Sequence, residues 1–201
     1  GVGGYYAEIL TRLGVGEFTI YDGDVFSIEN TNRQNECKTS TYNNNKSVVI
    51  STLIKDINPC AKVHTFDKYI SESDVSLFCE KIDIYLDTLD FFALDIRSEI
   101  FKKMRTLNKP AFTVAPIGTG AAIVAFTKDS MSFEDYFGLK KDLDPIENAL
   151  RFLVGLSPSL QQQKYLQDST RANMKAQKLP SLPMGTYSSA AVMATLVLKF
   201  I

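Results

Sequence analysis

Short apolar segments alternate with helical segments along the first 127 residues, and this alternation most restricts the fold. The strand-like segments, such as Phe18 to Tyr21, are short and rich in β-branched and aromatic residues. Between them, apolar residues recur at helical spacing, as in residues 5–13. Strands separated by helices of these lengths pair in parallel. The sequence therefore predicts an α/β protein with a doubly wound, mainly parallel sheet and helices on both of its faces.

The same patterns give approximate bounds for the elements. The predicted strands span residues 18–21, 62–66, 82–86, 111–115 and 121–126. The predicted helices span residues 5–13, 46–57, 71–81, 91–107, 146–156 and 160–168, with a last helix after Pro183. The polar stretch 30–45 predicts a long exposed loop, and loops of this length are usually functional.

The chain opens on a glycine motif, Gly1-Val2-Gly3-Gly4, of the kind that contacts phosphate between a strand and a helix. Because such a motif needs a strand before it, we expect a first strand ahead of Gly1 that this sequence does not contain. Tyr6 stands where a third glycine usually lets the helix and the strand pack closely. Asp22 follows Gly1 by 21 residues, about the separation at which an acid on the second strand meets a ribose.

Four acids stand where predicted strands end: Asp22, Asp24, Asp87 and Asp90. Ligands of parallel sheets bind at the carboxyl ends of the strands. We therefore expect a binding site at this edge, with carboxylates that face one cleft and repel each other while it is empty. Asp24 either belongs to that site or holds the loop by accepting backbone N–H groups.

Four motifs follow each other in a fixed order: Gly-x-Gly-Gly at Gly1, Asp-x-Asp at Asp22, Asn-x-x-Arg-Gln at Asn30, and Lys46. In this order and spacing they resemble the ThiF/MoeB family of adenylyltransferases, the superfamily that includes ubiquitin-activating enzymes. The resemblance is good over residues 1–127 and loose beyond. The run that begins at Asp90 is similar to a divergent bacterial ThiF-like subgroup. We expect one Rossmann-like domain over 1–201, with a nucleotide-binding core (1–127) and a divergent part (128–201) packed on it.

This resemblance implies an ATP- and Mg²⁺-dependent adenylyltransferase. It would activate the C-terminal carboxylate of a ubiquitin-like sulfur-carrier protein or a peptide and release pyrophosphate. The implied nucleotide-binding residues are Gly1, Gly3, Gly4, Asp22, Asp24, Asn30, Arg33, Gln34 and Lys46. Within this set, Asp22 would hold the ribose, Asn30, Arg33 and Lys46 would contact the phosphates, and Gln34 would support them. The implied catalytic residues are Arg33, Lys46 and Asp90, of which Asp90 would be the magnesium ligand.

Two other functional classes stay open. The first is a catalytically weak ThiF-like partner subunit that docks another protein. The second is an NAD-dependent oxidoreductase, which only Gly1, Gly3 and Asp22 favour. It leaves Arg33, Lys46 and Asp90 unexplained. A relative that modifies a tRNA base is conceivable, but 22 basic against 23 acidic residues give little support for a nucleic-acid partner.

The remaining expectations concern location and assembly. Three cysteines, Cys37, Cys60 and Cys79, are odd in number and too widely spaced for a zinc knuckle, so we expect a cytoplasmic protein without structural zinc. Because no cysteine follows Cys79, the resemblance excludes a thioester at the family's usual position. The apolar run 190–201 contains Lys199 and is too short to cross a membrane. The family resemblance also implies a homodimer.

Overall fold

A computed structural model of the chain describes residues 1–165 and 179–201. The strands are β1 (Glu17–Tyr21), β2 (Lys62–Phe66), β3 (Tyr85–Asp87), β4 (Ala111–Ile117) and β5 (Gly120–Phe126). The helices are α1 (Gly3–Arg12), α2 (Lys46–Ile57), α3 (Glu72–Lys81), α4 (Leu94–Thr106), α5 (Phe133–Phe137), α6 (Pro145–Leu156) and α7 (Pro183–Val197). This order confirms the predicted alternation of strands and helices.

Most predicted bounds differ from the structure by two residues or fewer, three elements differ more, and helix α5 was not predicted from the sequence. Strand β3 begins at Tyr85 instead of Ile82, and α4 begins at Leu94 instead of Phe91. The predicted helix 160–168 is a short 3₁₀ helix over Gln161–Tyr165, and its last three residues lie outside the described part of the chain. None of the helices within residues 1–165 and 179–201 is long and apolar enough to span a bilayer.

The strands form two hydrogen-bonded groups. Strand β1 pairs with β2 in parallel, and β3 pairs with β4 in parallel, whereas β5 runs antiparallel to β4. Two of the three strand pairings are therefore parallel, as expected for a mainly parallel α/β fold. Among the described residues, β1 and β3 do not pair with each other, although both line the same cleft.

Helices cover both faces of the β3-β4-β5 group, because neighbouring residues of β4 point in opposite directions. Ala111 belongs to a core cluster with residues of α3, α4, α5 and α6. The next residue, Phe112, belongs to a second cluster together with Val114 and residues of α1 and α7. This arrangement confirms the predicted layers and leaves the carboxyl ends of β1 and β3 beside the start of α1.

Candidate functional site

A cleft lies between β1, β3 and the start of α1. Its cavity volume is about 170 Å³. Six of the residues predicted for the site line this cleft: Gly1, Gly3, Gly4, Asp22, Gln34 and Lys46. Residues that are far apart in sequence therefore meet at one edge of the sheet.

Lys46 is held at the cleft by the residue before it. The side-chain oxygen of Asn45 accepts hydrogen bonds from the backbone N–H groups of Ser47 (2.9 Å) and Val48 (3.3 Å), and so caps α2. Its amide nitrogen donates to the carbonyl of Asp22 at 3.2 Å. Asn45 thus fastens the start of α2 to the end of β1. The sequence analysis missed this role, although an asparagine directly before a helix is a recognisable signal.

The Lys46 ammonium donates to a carboxylate oxygen of Asp24 at 2.9 Å. The Tyr69 hydroxyl donates to the other oxygen of that carboxylate. Partial burial acts to raise the pKa of Asp24, but the hydrogen bonds from Tyr69 and Lys46 outweigh it, and the pKa is lowered. The Lys46 side chain is only 9% exposed, whereas that of Asp24 is 48% exposed. The mostly buried Lys46 ammonium therefore pairs with a carboxylate, that of Asp24, which solvent can reach. No pattern in the sequence indicated Tyr69.

Asp22 lies deeper than Asp24 at the end of β1. Burial raises its pKa, while a hydrogen bond from the backbone N–H of Asp24 (2.9 Å) and the charge of Lys46 act to lower it. That bond uses one carboxylate oxygen of Asp22. A partly desolvated carboxylate in a cleft is a strong acceptor for hydroxyl groups, which is the role predicted for Asp22.

The glycine motif contacts an acid that the sequence analysis did not consider. A Cβ atom on Gly4 would clash with a carboxylate oxygen of Glu36, so a larger residue at this position would have to displace the Glu36 side chain. A Cβ on Gly3 would make only ordinary contact with Thr88, at 3.5 Å. Glu36 is buried and lines the cleft, and burial raises its pKa to about 7.

The Asn-x-x-Arg-Gln motif divides between the loop and the cleft. Asn30 is buried and accepts the backbone N–H of Ser27 at 3.2 Å, so it stabilises its own turn. Arg33 donates to the Glu29 carbonyl at 2.9 Å and to the side chain of Asn32 at 2.8 Å. Among the motif's three predicted site residues, Gln34 lines the cleft and Asn30 and Arg33 do not.

The charges at the cleft are mixed. Lys46 and Asp22 both line the cleft, and Asp24 pairs with the Lys46 ammonium. This mixed charge favours a ligand that carries both phosphates and hydroxyl groups.

Asp87 does not face the cleft as a free carboxylate, so that expectation is wrong. Its carboxylate accepts the Arg97 Nε–H at 2.8 Å, and the side chains of Asp87 and Arg97 are 3% and 2% exposed. The Thr113 hydroxyl donates to the same oxygen at 2.8 Å. Asp87 is therefore an internal, neutralised acid. The missed signal is an arginine in the apolar stripe of α4, between Leu94 and Ile100.

Asp90 is exposed in the loop that follows β3. One of its carboxylate oxygens accepts the backbone N–H of Phe92 at 3.0 Å. Within the described residues no group of three or more His, Cys, Asp or Glu side chains could hold a metal alone. Asp90 does not line the cleft itself but follows Leu89, which does. Magnesium usually needs only one or two carboxylates when phosphates and waters complete its shell, so Asp90 would be a single protein ligand in such a shell.

The three cysteines are free thiols. Burial raises the pKa of Cys37, whose thiol donates to the Ser27 carbonyl at 3.2 Å. Burial also raises the pKa of Cys79, to about 11. Cys60 is exposed in the turn between α2 and β2. Because a reactive thiol needs a lowered pKa, neither buried cysteine has the properties of a nucleophile.

The chain is similar in sequence to several known proteins. A tRNA threonylcarbamoyladenosine dehydratase of Haemophilus influenzae is 35% identical over 91 residues, which are 45% of this chain and 35% of that protein. A molybdopterin-synthase adenylyltransferase of the same organism is 25% identical over 127 residues, 63% of this chain and 51% of that protein.

Among solved structures, Escherichia coli MccB crystallised with ATP matches with a TM-score of 0.69 at 17% identity, covering 100% of this chain and 52% of that chain. This likeness establishes a shared fold. The chain thus spans about a third to a half of the length of these proteins. The model of the ThiF family matches residues 1–201, so the chain belongs to the ThiF family.

Proposed function

We propose that the protein is an ATP- and Mg²⁺-dependent adenylyltransferase that activates a carboxylate and releases pyrophosphate. The observation that carries this proposal is the cleft, because it unites the glycine motif, Asp22, Gln34 and Lys46. Transfer of an adenylyl group joins two anions, so it needs positive charge where the pyrophosphate leaves. Lys46 is a mostly buried cation in the cleft and supports this role.

Each residue then has a task that its surroundings support. Asp22 accepts hydrogen bonds from the ribose, and the N-terminus of α1, which has no acid in its first turn, favours a phosphate. Lys46 exchanges its bond with Asp24 for a bond with a phosphate oxygen. Asp90 would hold magnesium, which when bound offsets phosphate charge. Arg33 does not line the cleft, and it would add positive charge from the neighbouring loop.

For the acceptor we propose the C-terminal carboxylate of a ubiquitin-like carrier protein or a peptide. The support is family membership together with the relative named as a molybdopterin-synthase adenylyltransferase. We propose a modified tRNA as a second candidate acceptor. This candidate is favoured by relatives from three bacteria that are named tRNA threonylcarbamoyladenosine dehydratases and are 33–35% identical over 78–91 residues. The threonyl group in that name carries a carboxylate, so both candidates share one chemistry.

The first test measures nucleotide binding and the first half-reaction. Magnesium ATP should raise the melting temperature, since a ligand at about 100 times its Kd adds about 2.7 kcal/mol of stability. ATP–pyrophosphate exchange should occur with a C-terminal peptide library or with bulk tRNA, and the active acceptor identifies the substrate class.

Lys46→Met should lower the exchange rate by about 10² to 10³, the usual cost of losing one electrostatic partner of the transition state. Lys103→Met is the matched control, because Lys103 also pairs with a carboxylate, Glu80, at 3.2 Å, on the surface of α4. The control should keep the wild-type rate. Equal loss in both variants would contradict the role of Lys46.

The same measurements separate the alternatives. ATP binding without exchange under any acceptor would favour the docking subunit over the enzyme. Stabilisation by NAD but not by ATP would favour the oxidoreductase. We also propose a homodimer, supported by exposed apolar side chains on α6 and α7, such as Leu150, Val154 and Tyr187. A monomer in multi-angle light scattering at micromolar concentration would count against the dimer.

A further inference from the structure

We propose that Arg97 is a positioning residue that sets the backbone of the loop Thr88–Ala93 and so holds Asp90 in place. This inference rests on the proposed function, in which Asp90 ligates magnesium. The loop follows β3 and precedes α4, and it carries the exposed carboxylate of Asp90. Arg97, inside α4, is one of the most deeply buried side chains in the described part of the molecule.

Arg97 binds three successive carbonyl groups of this loop. Its Nη2 donates to the carbonyls of Leu89 at 3.0 Å and Asp90 at 2.9 Å, and its Nη1 donates to the carbonyl of Phe91 at 3.2 Å. A lysine could not reproduce these three hydrogen bonds, because only the planar guanidinium presents several donors in fixed directions. One side chain therefore fixes the path of the chain on both sides of Asp90.

The guanidinium is itself fixed by its surroundings. Its Nε donates to Asp87 at 2.8 Å, and Asp87 also accepts a bond from Thr113 on β4. On another side, the centre of the guanidinium lies 4.9 Å from the centroid of the Phe152 ring on α6. The clamp is thus anchored to β3, β4 and α6, which belong to the rigid core.

The bonds to Arg97 coincide with a start of α4 that is later than predicted. A helix that began at Phe91 would use the Phe91 carbonyl for the N–H of residue 95. In the structure Arg97 takes that carbonyl, and α4 begins at Leu94. Residues 88–93 therefore form a loop that presents Asp90 instead of a first helical turn.

Asp90 is held at two points. Arg97 binds its carbonyl, and one of its carboxylate oxygens accepts the N–H of Phe92. The second carboxylate oxygen is available to a cation. Because a metal ligand must be held to within about 0.5 Å, the fixed backbone on either side is a requirement of the magnesium role.

Two variants separate this role from simple stabilisation. Arg97→Lys keeps a positive charge beside Asp87 but loses the bonds to the three carbonyls. Thr113→Val removes a bond to Asp87 in the same buried network and leaves the carbonyl bonds in place. Hydrogen exchange of the amides of residues 88–93, without ligand, should become about tenfold faster or more in Arg97→Lys and not in Thr113→Val. Unchanged exchange in Arg97→Lys would overturn the clamp, whether or not the protein binds nucleotide.

The second readout is the magnesium concentration that gives half of the ATP-induced rise in melting temperature. It should rise roughly tenfold to hundredfold in Arg97→Lys, as when residues that orient a metal ligand are lost. It should stay unchanged in Thr113→Val. No response to magnesium ATP in the wild type means that the proposed function fails. A wild-type response that Arg97→Lys shares at the same magnesium concentration means that the positioning role fails.

If Arg97→Lys does not fold, Phe152→Leu replaces it. This change removes the ring beside the guanidinium and keeps every hydrogen bond of the clamp. Phe152→Leu should speed the exchange of the loop amides and raise the required magnesium concentration, in both cases by less than Arg97→Lys. Thr113→Val should still change neither quantity. A folded Phe152→Leu protein with wild-type exchange and wild-type magnesium dependence would overturn the proposal.

Discussion

The ends of β1 and β3 each carry two acids and a basic partner, yet the two pairs are built differently. At β3, Asp87 and Arg97 are 3% and 2% exposed. At β1, Asp24 is 48% exposed and Lys46 is 9% exposed. A fully buried pair is costly to break, whereas a pair open to solvent exchanges partners at little cost. We infer that the β3 pair maintains the shape of the site and that the β1 pair can release its cation to a ligand.

The largest expected effect comes from breaking the buried pair. Asp87→Asn leaves the Arg97 charge without its anion, and loss of one partner of a buried ion pair typically costs about 3–5 kcal/mol. The free energy of unfolding, measured by urea titration, should fall by that amount. A loss below about 1 kcal/mol would show that solvent reaches Arg97 and would remove the contrast between the two strand ends.

The next effect concerns the second acid at β3. Asp90→Asn should lower the pyrophosphate exchange rate by about 10² to 10³ by removing a magnesium ligand. The melting temperature without ligand should not change, because asparagine can still accept the Phe92 N–H. The rise in melting temperature with magnesium ATP should be much smaller than in the wild type. Equal rises in both proteins would make Asp90 a structural residue.

The third effect tests the acid beside Gly4. Burial raises the pKa of Glu36 from 4.5 to about 7, so the folded state holds a proton that the unfolded state loses between these values. The stability contribution of Glu36 is therefore present at low pH and is lost as the pH rises through about 7. At about pH 8, Glu36→Gln should stabilise the protein by up to about 3 kcal/mol, and at about pH 4 by almost nothing. Thermal melts across this pH range measure the difference in stability between Glu36→Gln and the wild type. A difference that does not change with pH would contradict the prediction.

The smallest effect is expected for the open pair at β1. Asp24→Asn should cost about 1 kcal/mol or less near neutral pH, since Asp24 is half exposed. The pKa of Asp24 is lowered in the folded state, so this contribution exists above 3.8 and disappears as the pH falls below it. Urea titrations near pH 7 and pH 3 provide the comparison. A cost as large as that of Asp87→Asn would make the two strand ends equivalent.

Local patterns and the ordered motifs were sufficient to predict the strands, most of the helices and six of the residues that line the cleft. Lys46 and Gln34 could be found because they belong to an ordered set of motifs. Asp87 was misjudged because its partner, Arg97, is ten residues away, and only packing shows that both are buried.

Contacts between distant segments explain the other omissions. Glu36 meets Gly4, and Tyr69 meets Asp24, across 32 and 45 residues of sequence. Nothing in the sequence around Glu36 or Tyr69 indicates such a contact. Asn45 is different, because its capping role follows from its position directly before a helix and can be predicted from the sequence.

The unequal burial of the thiols gives residues 1–201 one position that a spectroscopic label can reach. Among the three cysteines only Cys60 is exposed, and the pKa values of Cys37 and Cys79 are raised. A maleimide dye should therefore attach at Cys60 alone. That position lies just beyond the far end of α2, the twelve-residue helix that begins with Lys46, and such a helix is about 18 Å long. Energy transfer from a fluorescent nucleotide to this dye would report occupancy of the cleft without any substitution in the protein.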